Sequence, residues 1–343
     1  MVQDMPPEGM EERLSEALKR WSLPLRWEWL KGDGSNRSYA RVPYGQKTAI
    51  AMVLADPDPH KQAEEIEEGP LGENPFLAIH RLLTEHGLPV PEIYRQAEDL
   101  GVILLEDLGD TLLEGCFSTG IPVDLYREAV DLLIPFQRIP KSSNLLFRRR
   151  FSLSLLLWEV EHFFEYGIEA RLSLKLPDSI RERWKKEWAV ALSPFSEAPL
   201  VPVHRDYHSR NLMVDPQGRL RWIDFQDALL GHRYYDLVSL LYDAYVEIPD
   251  SIRMELFQRF CFGAESAGLP LDPKRDFYLL AIQRMLKAAG RFVYFDRVKG
   301  KPQYLRYIPS LLERTRRILM EIFPGLLPPS LIREMAEYIP EWQ

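Results

Sequence analysis

One stretch of this chain constrains it more than any other, the run from His204 to Asp236. It reads His204-Arg205-Asp206-Tyr207-His208-Ser209-Arg210-Asn211, then Ile223-Asp224-Phe225-Gln226-Asp227, then Tyr235-Asp236-Leu237. An Asp is followed five residues later by an Asn, and a second Asp comes thirteen beyond that. Short apolar segments frame the polar run. Pro202-Val203 leads in, Leu212-Met213-Val214 leads out, and Leu220-Arg221-Trp222-Ile223 reads as a returning strand. Between the last two, Asp215-Pro216-Gln217-Gly218 reads as a turn. A loop followed by such a hairpin brings Asp206 and Asn211 beside Asp224. These side chains suit phosphoryl transfer. One carboxylate accepts a hydrogen bond from an attacking hydroxyl, while an amide and a second carboxylate offer oxygen to Mg²⁺. That hard cation needs few protein ligands, because phosphates and waters complete its octahedron.

A single loop Asp or Asn usually caps a helix or closes a turn. The whole constellation, at this spacing and in this apolar frame, argues for chemistry instead. The run resembles the aminoglycoside phosphotransferase/choline kinase group of the protein-kinase-like fold. That group carries His-x-Asp-x-His-x-x-Asn and then Ile-Asp, matched here by His204, Asp206, His208, Asn211, Ile223 and Asp224. The resemblance implies an α+β chain with two lobes. Residues 1–105 would form a small, mostly-β nucleotide-binding lobe, and 106–343 a larger, mostly helical lobe with the catalytic loop and substrate site. It implies Asp206 as catalytic base, Asn211 and Asp224 as Mg²⁺ ligands, and ATP as the donor. Asp224 stands where protein kinases have the Asp of Asp-Phe-Gly, with Gln226 in place of the Gly. His204, His208 and Asp236 would be structural supports, Asp236 by accepting backbone hydrogen bonds from the loop.

The likeness is closest to a narrower branch, the bacterial anomeric N-acetylmuramate/N-acetylglucosamine kinases. It rests on His204 to Met213, Asp224 to Ala228, Tyr235 to Leu241 and Gly300-Lys301-Pro302-Gln303-Tyr304-Leu305. It implies phosphorylation of the anomeric hydroxyl of an N-acetyl amino sugar in cell-wall recycling.

Upstream, Glu11 to Trp21 has helical spacing of Leu14, Ala17, Leu18 and Trp21. Trp27–Leu30 and Tyr39–Val42 read as strands around Gly32-Asp33-Gly34-Ser35-Asn36-Arg37, a turn whose backbone could approach phosphate closely. By resemblance, Gly34, Ser35 and Asn36 would cover the nucleotide phosphates. Thr48 to Ala55 reads as a buried strand, which in kinases carries a lysine paired to a helix glutamate. Here those positions fall on Met52 and on Ala78 of a helix from Pro75 to His86. Arg37 or Arg41 is the expected substitute cation. Glu92–Arg95 and Gly101–Leu105 look like paired strands. By resemblance, Leu105, Glu106 and Leu108 lie in a hinge whose backbone hydrogen-bonds adenine.

Beyond the hinge, apolar residues recur at helical spacing over 123–137, 151–166, 180–192, 235–246, 252–267, 276–296 and 304–323. Acceptor-binding candidates facing Asp206 are Tyr207, Gln226, Arg210, Asp227 and Arg291. A lactyl carboxylate would be met by Arg210 or Arg291.

The net charge of −8 disfavours nonspecific nucleic-acid binding, which leans on Lys and Arg. No apolar run reaches membrane-spanning length, and the first ten residues lack a signal-peptide pattern. Cys116 and Cys261 have no metal-like spacing and suit a reducing cytoplasm. No protein partner is legible. Two competing functions remain. One keeps the chemistry but takes an aminoglycoside, choline or another amino alcohol as acceptor. The other is a silent nucleotide-binding pseudokinase, favoured by the missing lysine and glutamate and opposed by the intact Asp206, Asn211 and Asp224.

Overall fold

A computed structural model of the chain describes residues 9–30, 37–54, 74–269 and 274–343. The glycine turn, with Gly34, Ser35 and Asn36, lies outside the described residues. The chain divides into two compact units, Met1–Thr111 with Met213–Ile223, and Leu112–Leu212 with Asp224–Gln343.

The first unit is built on a five-stranded antiparallel sheet. Its strands are β1 (Glu28–Trp29), β2 (Arg37–Tyr44), β3 (Lys47–Leu54), β4 (Ile93–Ala97) and β5 (Val102–Glu106), in the order β1-β2-β3-β5-β4. Ala40 opposes Ala51, and Ala51 opposes Leu104. Because successive side chains alternate faces, Ala40, Val42, Ala49, Ala51, Val53, Val102 and Leu104 share one side. The amphipathic helix α1 (Met10–Arg20) joins that core through Met10, Leu14, Ala17 and Leu18. Small alanines on the strands leave room for the helix to lie close. Met52 and Ile103 are paired on the opposite face and are also buried. A lysine at position 52 would therefore sit in an apolar layer. The helix α2 (Pro75–Glu85) starts at Asn74, whose side chain accepts from the Phe76 N–H. It buries Ala78.

The second unit is mainly helical: α3 (Val123–Gln137), α4 (Leu153–His162), α5 (Asp178–Leu192), α6 (Tyr235–Leu241), α7 (Asp250–Ser266), α8 (Lys274–Lys299), α9 (Ile308–Arg317) and α10 (Pro329–Ala336). The expected α+β architecture, a β-rich part followed by a helical one, is what the chain forms. Three helices differ from their sequence spacing. The 151–166 segment begins only at Leu153, where the Ser152 hydroxyl caps the Leu155 N–H, and it widens into a π-helix over Phe163–Ala170. The 235–246 segment ends at Leu241, and just beyond it Asp243 accepts the N–H groups of Tyr245 and Ser209. The 304–323 segment breaks into a 3₁₀ turn (Pro302–Tyr307), α9 and a π turn (Ile318–Ile322). Pro309 favours a fresh helix start there, since it cannot donate to a preceding turn.

Two short sheets position the polar run. The strand β6 (Leu200–Val203) pairs antiparallel with β9 (Leu229–His232), with Val203 opposite Leu229. The chain therefore leaves β6 toward Asp206 at the same end where it arrives at β9 from Asp224. Sequence spacing gave no sign of this pairing. The hairpin of β7 (Leu212–Val214) and β8 (Leu220–Trp222) closes through Asp215, whose backbone and side chain bond Gln217, Gly218 and Arg219. Gly218 has φ +78, a left-handed conformation natural to glycine.

Candidate active site

The loop after β6 is tied down at almost every residue. Asp236, at the start of α6 and fully buried, accepts the His204 N–H at 2.6 Å and the Arg205 N–H at 3.1 Å. Asp243 accepts the Ser209 N–H at 2.8 Å. The buried Tyr207 hydroxyl donates to the Ala129 carbonyl at 2.8 Å, so this candidate is committed to α3. The Arg284 guanidinium donates to the Arg205 carbonyl at 2.9 Å. The Asn211 amide reaches back to the Asp206 carbonyl at 3.0 Å. With its nitrogen thus engaged, Asn211 keeps Oδ1 as the acceptor available to a cation. The His204 ring lies edge-on to Tyr207 and the His208 ring edge-on to Tyr245.

Arg205 (φ +80) and Asp224 (φ +60) both adopt the left-handed backbone region, which is unfavourable for non-glycine residues. Such strain persists only where surroundings enforce it, and it gathers at functional sites. At Asp224 the enforcing neighbour is Gln226, which occupies the position of the kinase glycine. Its Nε2 donates to Asp224 Oδ1 at 3.0 Å and to Asp227 Oδ2 at 2.9 Å. Asp224 is itself exposed.

The Asp206 side chain is 41% exposed, with Arg284 Nη2 3.7 Å from its Oδ1. Partial burial would raise its carboxyl, but Lys287, Arg284, Arg205 and His208 outweigh that and hold it well below the usual carboxylate range. Asp206 is thus ionised and acceptor-only near neutral pH. The two foremost of these, Lys287 and Arg284, come from α8. Lys287 Nζ lies 2.5 Å from Oε1 of the buried Glu159 and 3.3 Å from the Tyr235 hydroxyl. Glu159 also accepts from Gln283 at 2.7 Å. The Arg284 guanidinium stacks 4.4 Å from the Tyr235 ring centre. Arg284, Lys287, Glu159 and Asp243 did not stand out in the sequence. The available signal was charge in an apolar helix, since Arg284, Lys287 and Arg291 recur at three- and four-residue spacing along one face of α8.

The sequence candidates for the acceptor fare differently. Arg210 forks onto Glu114 at 2.7 and 3.0 Å, donates to the Tyr307 hydroxyl at 2.9 Å, and stacks 3.7 Å from the Tyr245 ring centre. Its guanidinium is consumed by the protein. Asp227 is held by Gln226. Arg291 is exposed over Tyr294 and, among the described residues, has no carboxylate partner.

In the first unit, Arg41 is bound to Asp107 at 2.7 Å and to Asp110 at 2.7 Å, and Thr48 also donates to Asp107. Arg37 opens β2 next to the undescribed turn. Leu105 and Leu108 are buried, while the Glu106 carboxylate is paired with Arg221 and accepts the Glu92 N–H. Among the described residues no group of three His, Cys, Asp or Glu could hold a metal ion. Any cation here would depend on the Asn211 and Asp224 oxygens, a sparse set of the kind Mg²⁺ accepts. No helix among the described residues is long and apolar enough to cross a membrane.

Comparison with known proteins identifies the family. Residues 27–271 match the profile of the Phosphotransferase enzyme family. A protein of Neisseria meningitidis named N-acetylmuramate/N-acetylglucosamine kinase is 31% identical, over 83% of this chain and 83% of its own. One of the same name from Pseudomonas aeruginosa is 32% identical, over 81% of this chain and 79% of its own. Among solved structures, a choline kinase of Streptococcus pneumoniae superimposes with a TM-score of 0.59 at 17% identity, covering 88% of this chain and 98% of its own. An ADP-bound aminoglycoside phosphotransferase gives 0.58 at 15%, covering 88% and 96%. These two likenesses speak for the fold alone. The family match spans more than half of the chain and takes in Asp206, Asn211 and Asp224, and the chain belongs to the phosphotransferase enzyme family.

Proposed function

We propose that this phosphotransferase moves the terminal phosphoryl group of ATP to the anomeric hydroxyl of N-acetylmuramate and N-acetylglucosamine, with Mg²⁺ as cofactor. The observation that carries the reading is an ionised, partly open Asp206 on a locked loop, with Asn211 bonded to its carbonyl. The acceptor follows from the two relatives of that name at 31% and 32% identity over about four-fifths of each chain. The ADP- and AMP-bound neighbours of the same fold support a nucleotide donor.

Asp206 accepts the hydrogen bond of the acceptor hydroxyl, aligns its oxygen with phosphorus, and takes the proton as the new P–O bond forms and the bond from the terminal phosphorus to the departing ADP breaks. A carboxylate held this far down is a weak base. That suits a loose transition state in which positioning outweighs proton abstraction. Transfer would be direct, since among the described residues no activated nucleophile stands by to form a phosphoenzyme. Asn211 Oδ1 and the Asp224 carboxylate would hold Mg²⁺, which when bound neutralises phosphate charge. His204, His208 and Asp236 keep the loop in shape. On the donor side, the Leu105, Glu106 and Leu108 backbone meets adenine, and Gly34, Ser35, Asn36 and Arg37 meet the phosphates. The cytoplasm, where ATP is plentiful, is the matching compartment.

ATP consumption with Mg²⁺, measured against N-acetylmuramate, N-acetylglucosamine, glucose, choline and kanamycin, tests the reading. Turnover is expected with the N-acetyl sugars, giving an acid-labile, alkali-stable phosphate. Asp206→Asn should lower kcat by about a hundredfold or more. Turnover with choline or kanamycin alone would overturn the acceptor, and an unaffected variant would overturn the base.

A further inference from the structure

Beyond the catalytic loop, α4 and α8 carry a second set of packed rings, with Trp158 and Arg291 exposed and His162 buried among them. Trp158, His162 and Tyr166 follow one another at four-residue intervals, so they line one face of α4 and its π-helical continuation. Trp158 stacks on His162 at 5.4 Å and 25°, and the His162 ring lies 4.6 Å from that of Tyr166. From α8, Tyr294 closes the group, 5.6 Å from His162 and edge-on to Tyr166 at 5.3 Å. Trp158 is 45% exposed, an unusual placement for so large an apolar ring. The row ends at Arg291, whose guanidinium lies 4.9 Å from the Tyr294 ring centre and 5.3 Å from that of Phe295.

The cations of α8 divide by partner. Arg284 faces Asp206, Lys287 is spent on Glu159, and Arg297 faces Asp296. Of Arg284, Lys287 and Arg291, the three cations that share this stretch of one α8 face, Arg291 is exposed and, among the described residues, the one without a carboxylate, so it can meet an incoming anion. It stands seven residues from Arg284, two helical turns along the same face, which is a rise of about 10 Å. That rise is of the order of one substituted hexopyranose, and at its other end Arg284 lies 3.7 Å from Asp206. An aromatic row alongside suits the apolar face of a sugar ring.

We propose that Arg291 is a specificity-determining residue that binds the carboxylate of an acidic sugar acceptor lying along Trp158 and Tyr294, whose rings pack on the buried His162. The inference rests on the N-acetyl sugar reading above. N-Acetylmuramate carries an ether-linked lactyl carboxylate and N-acetylglucosamine does not, so the two sugars form a matched pair of probes. A planar fork binds a carboxylate through two hydrogen bonds. The same charge could instead serve the transferring phosphoryl group, and that use would affect both sugars alike.

The test is kcat/KM for each sugar with the full-length protein, its Arg291→Gln variant and its Arg291→Lys variant. Arg291→Gln should lower the N-acetylmuramate to N-acetylglucosamine preference by about tenfold or more, the loss of a charge-assisted hydrogen bond. The change should fall in KM for N-acetylmuramate rather than in kcat, and Arg291→Lys should recover part of it. An unmoved preference would overturn the inference, whether both sugars lose equally or neither does. If the unmodified protein turns over neither sugar, the parent reading fails, and this inference with it. If it turns over both and only the preference refuses to move, this inference fails alone.

Discussion

At the scale of single residues, the site depends on two carboxylates whose surroundings push them in opposite directions. Asp206 is held down by α8 cations, whereas Asp236, buried under the loop, is raised by desolvation to about 7 against the pull of two backbone N–H groups. An unfolded chain would titrate Asp236 at its ordinary 3.8. The folded state therefore binds that proton more tightly. The stability this contributes is complete below about pH 4 and is lost as pH rises through about 7. Asp236→Asn removes the titration and keeps one acceptor oxygen for two N–H donors. We expect the variant to be less stable than the parent by about 1–3 kcal/mol near pH 5, and the gap to narrow toward pH 7. Unfolding midpoints across that range decide it, and a gap of constant size would refute the assignment. Asp206, Asn211 and Asp224 were legible as one run of sequence, because a loop and hairpin keep neighbours in sequence near in space. Glu159, Arg284 and Lys287 were not, because helix packing alone brings them to Asp206.

At the scale of elements, most segments were legible from periodicity, and the exceptions have local causes. The spacing over 151–166 could not reveal that the helix widens to a π-helix over Phe163–Ala170. This π-helical stretch packs against α8. A Cβ built on Gly290 would sit 2.8 Å from Phe163 Cα and 3.0 Å from the His162 carbonyl oxygen. Both are backbone atoms, so the two helices touch main chain to main chain at this point. That approach fixes the distance between the row at His162 and Arg291. Gly290→Ala should gain about 1 kcal/mol of helix propensity and lose about 1–3 kcal/mol to overpacking. We expect a net loss of stability in urea unfolding together with a raised KM for the sugar acceptor. A stabilised protein with an unaltered KM would show that the contact can relax freely. The β6–β9 pairing was equally hidden, since four-residue strands carry too little pattern to announce their partners.

At the scale of the whole molecule, the charge balance and the site have opposite signs. The chain carries a net −8, yet the groups that hold Asp206 ionised are cationic. Composition reports on the surface average and is blind to a local field. The same blindness hid how the helical unit is finished. Sequence spacing singled out no helix after 323, but α10 and the 3₁₀ turn at Pro340–Trp342 follow. They cover core with Leu331, Ile332, Met335, Ile339 and Trp342. Trp342 is 2% exposed, and its indole N–H donates to the Leu312 carbonyl at 3.1 Å. Arg183 bonds Glu334 and Ser330 beside it. The loss of so large a side chain leaves a cavity and removes the second hydrogen bond to the Leu312 carbonyl. Trp342→Ala should therefore cost about 3–5 kcal/mol. Because α9 lies between this turn and the catalytic helix α8 in the chain, we expect the cost to appear as a lower unfolding midpoint of the helical unit, with the ratio of the two sugar preferences unmoved. A variant with parental stability would mean that the last turn is an ornament on a core already complete. A shifted preference would mean that the acceptor wall depends on the far end of the unit.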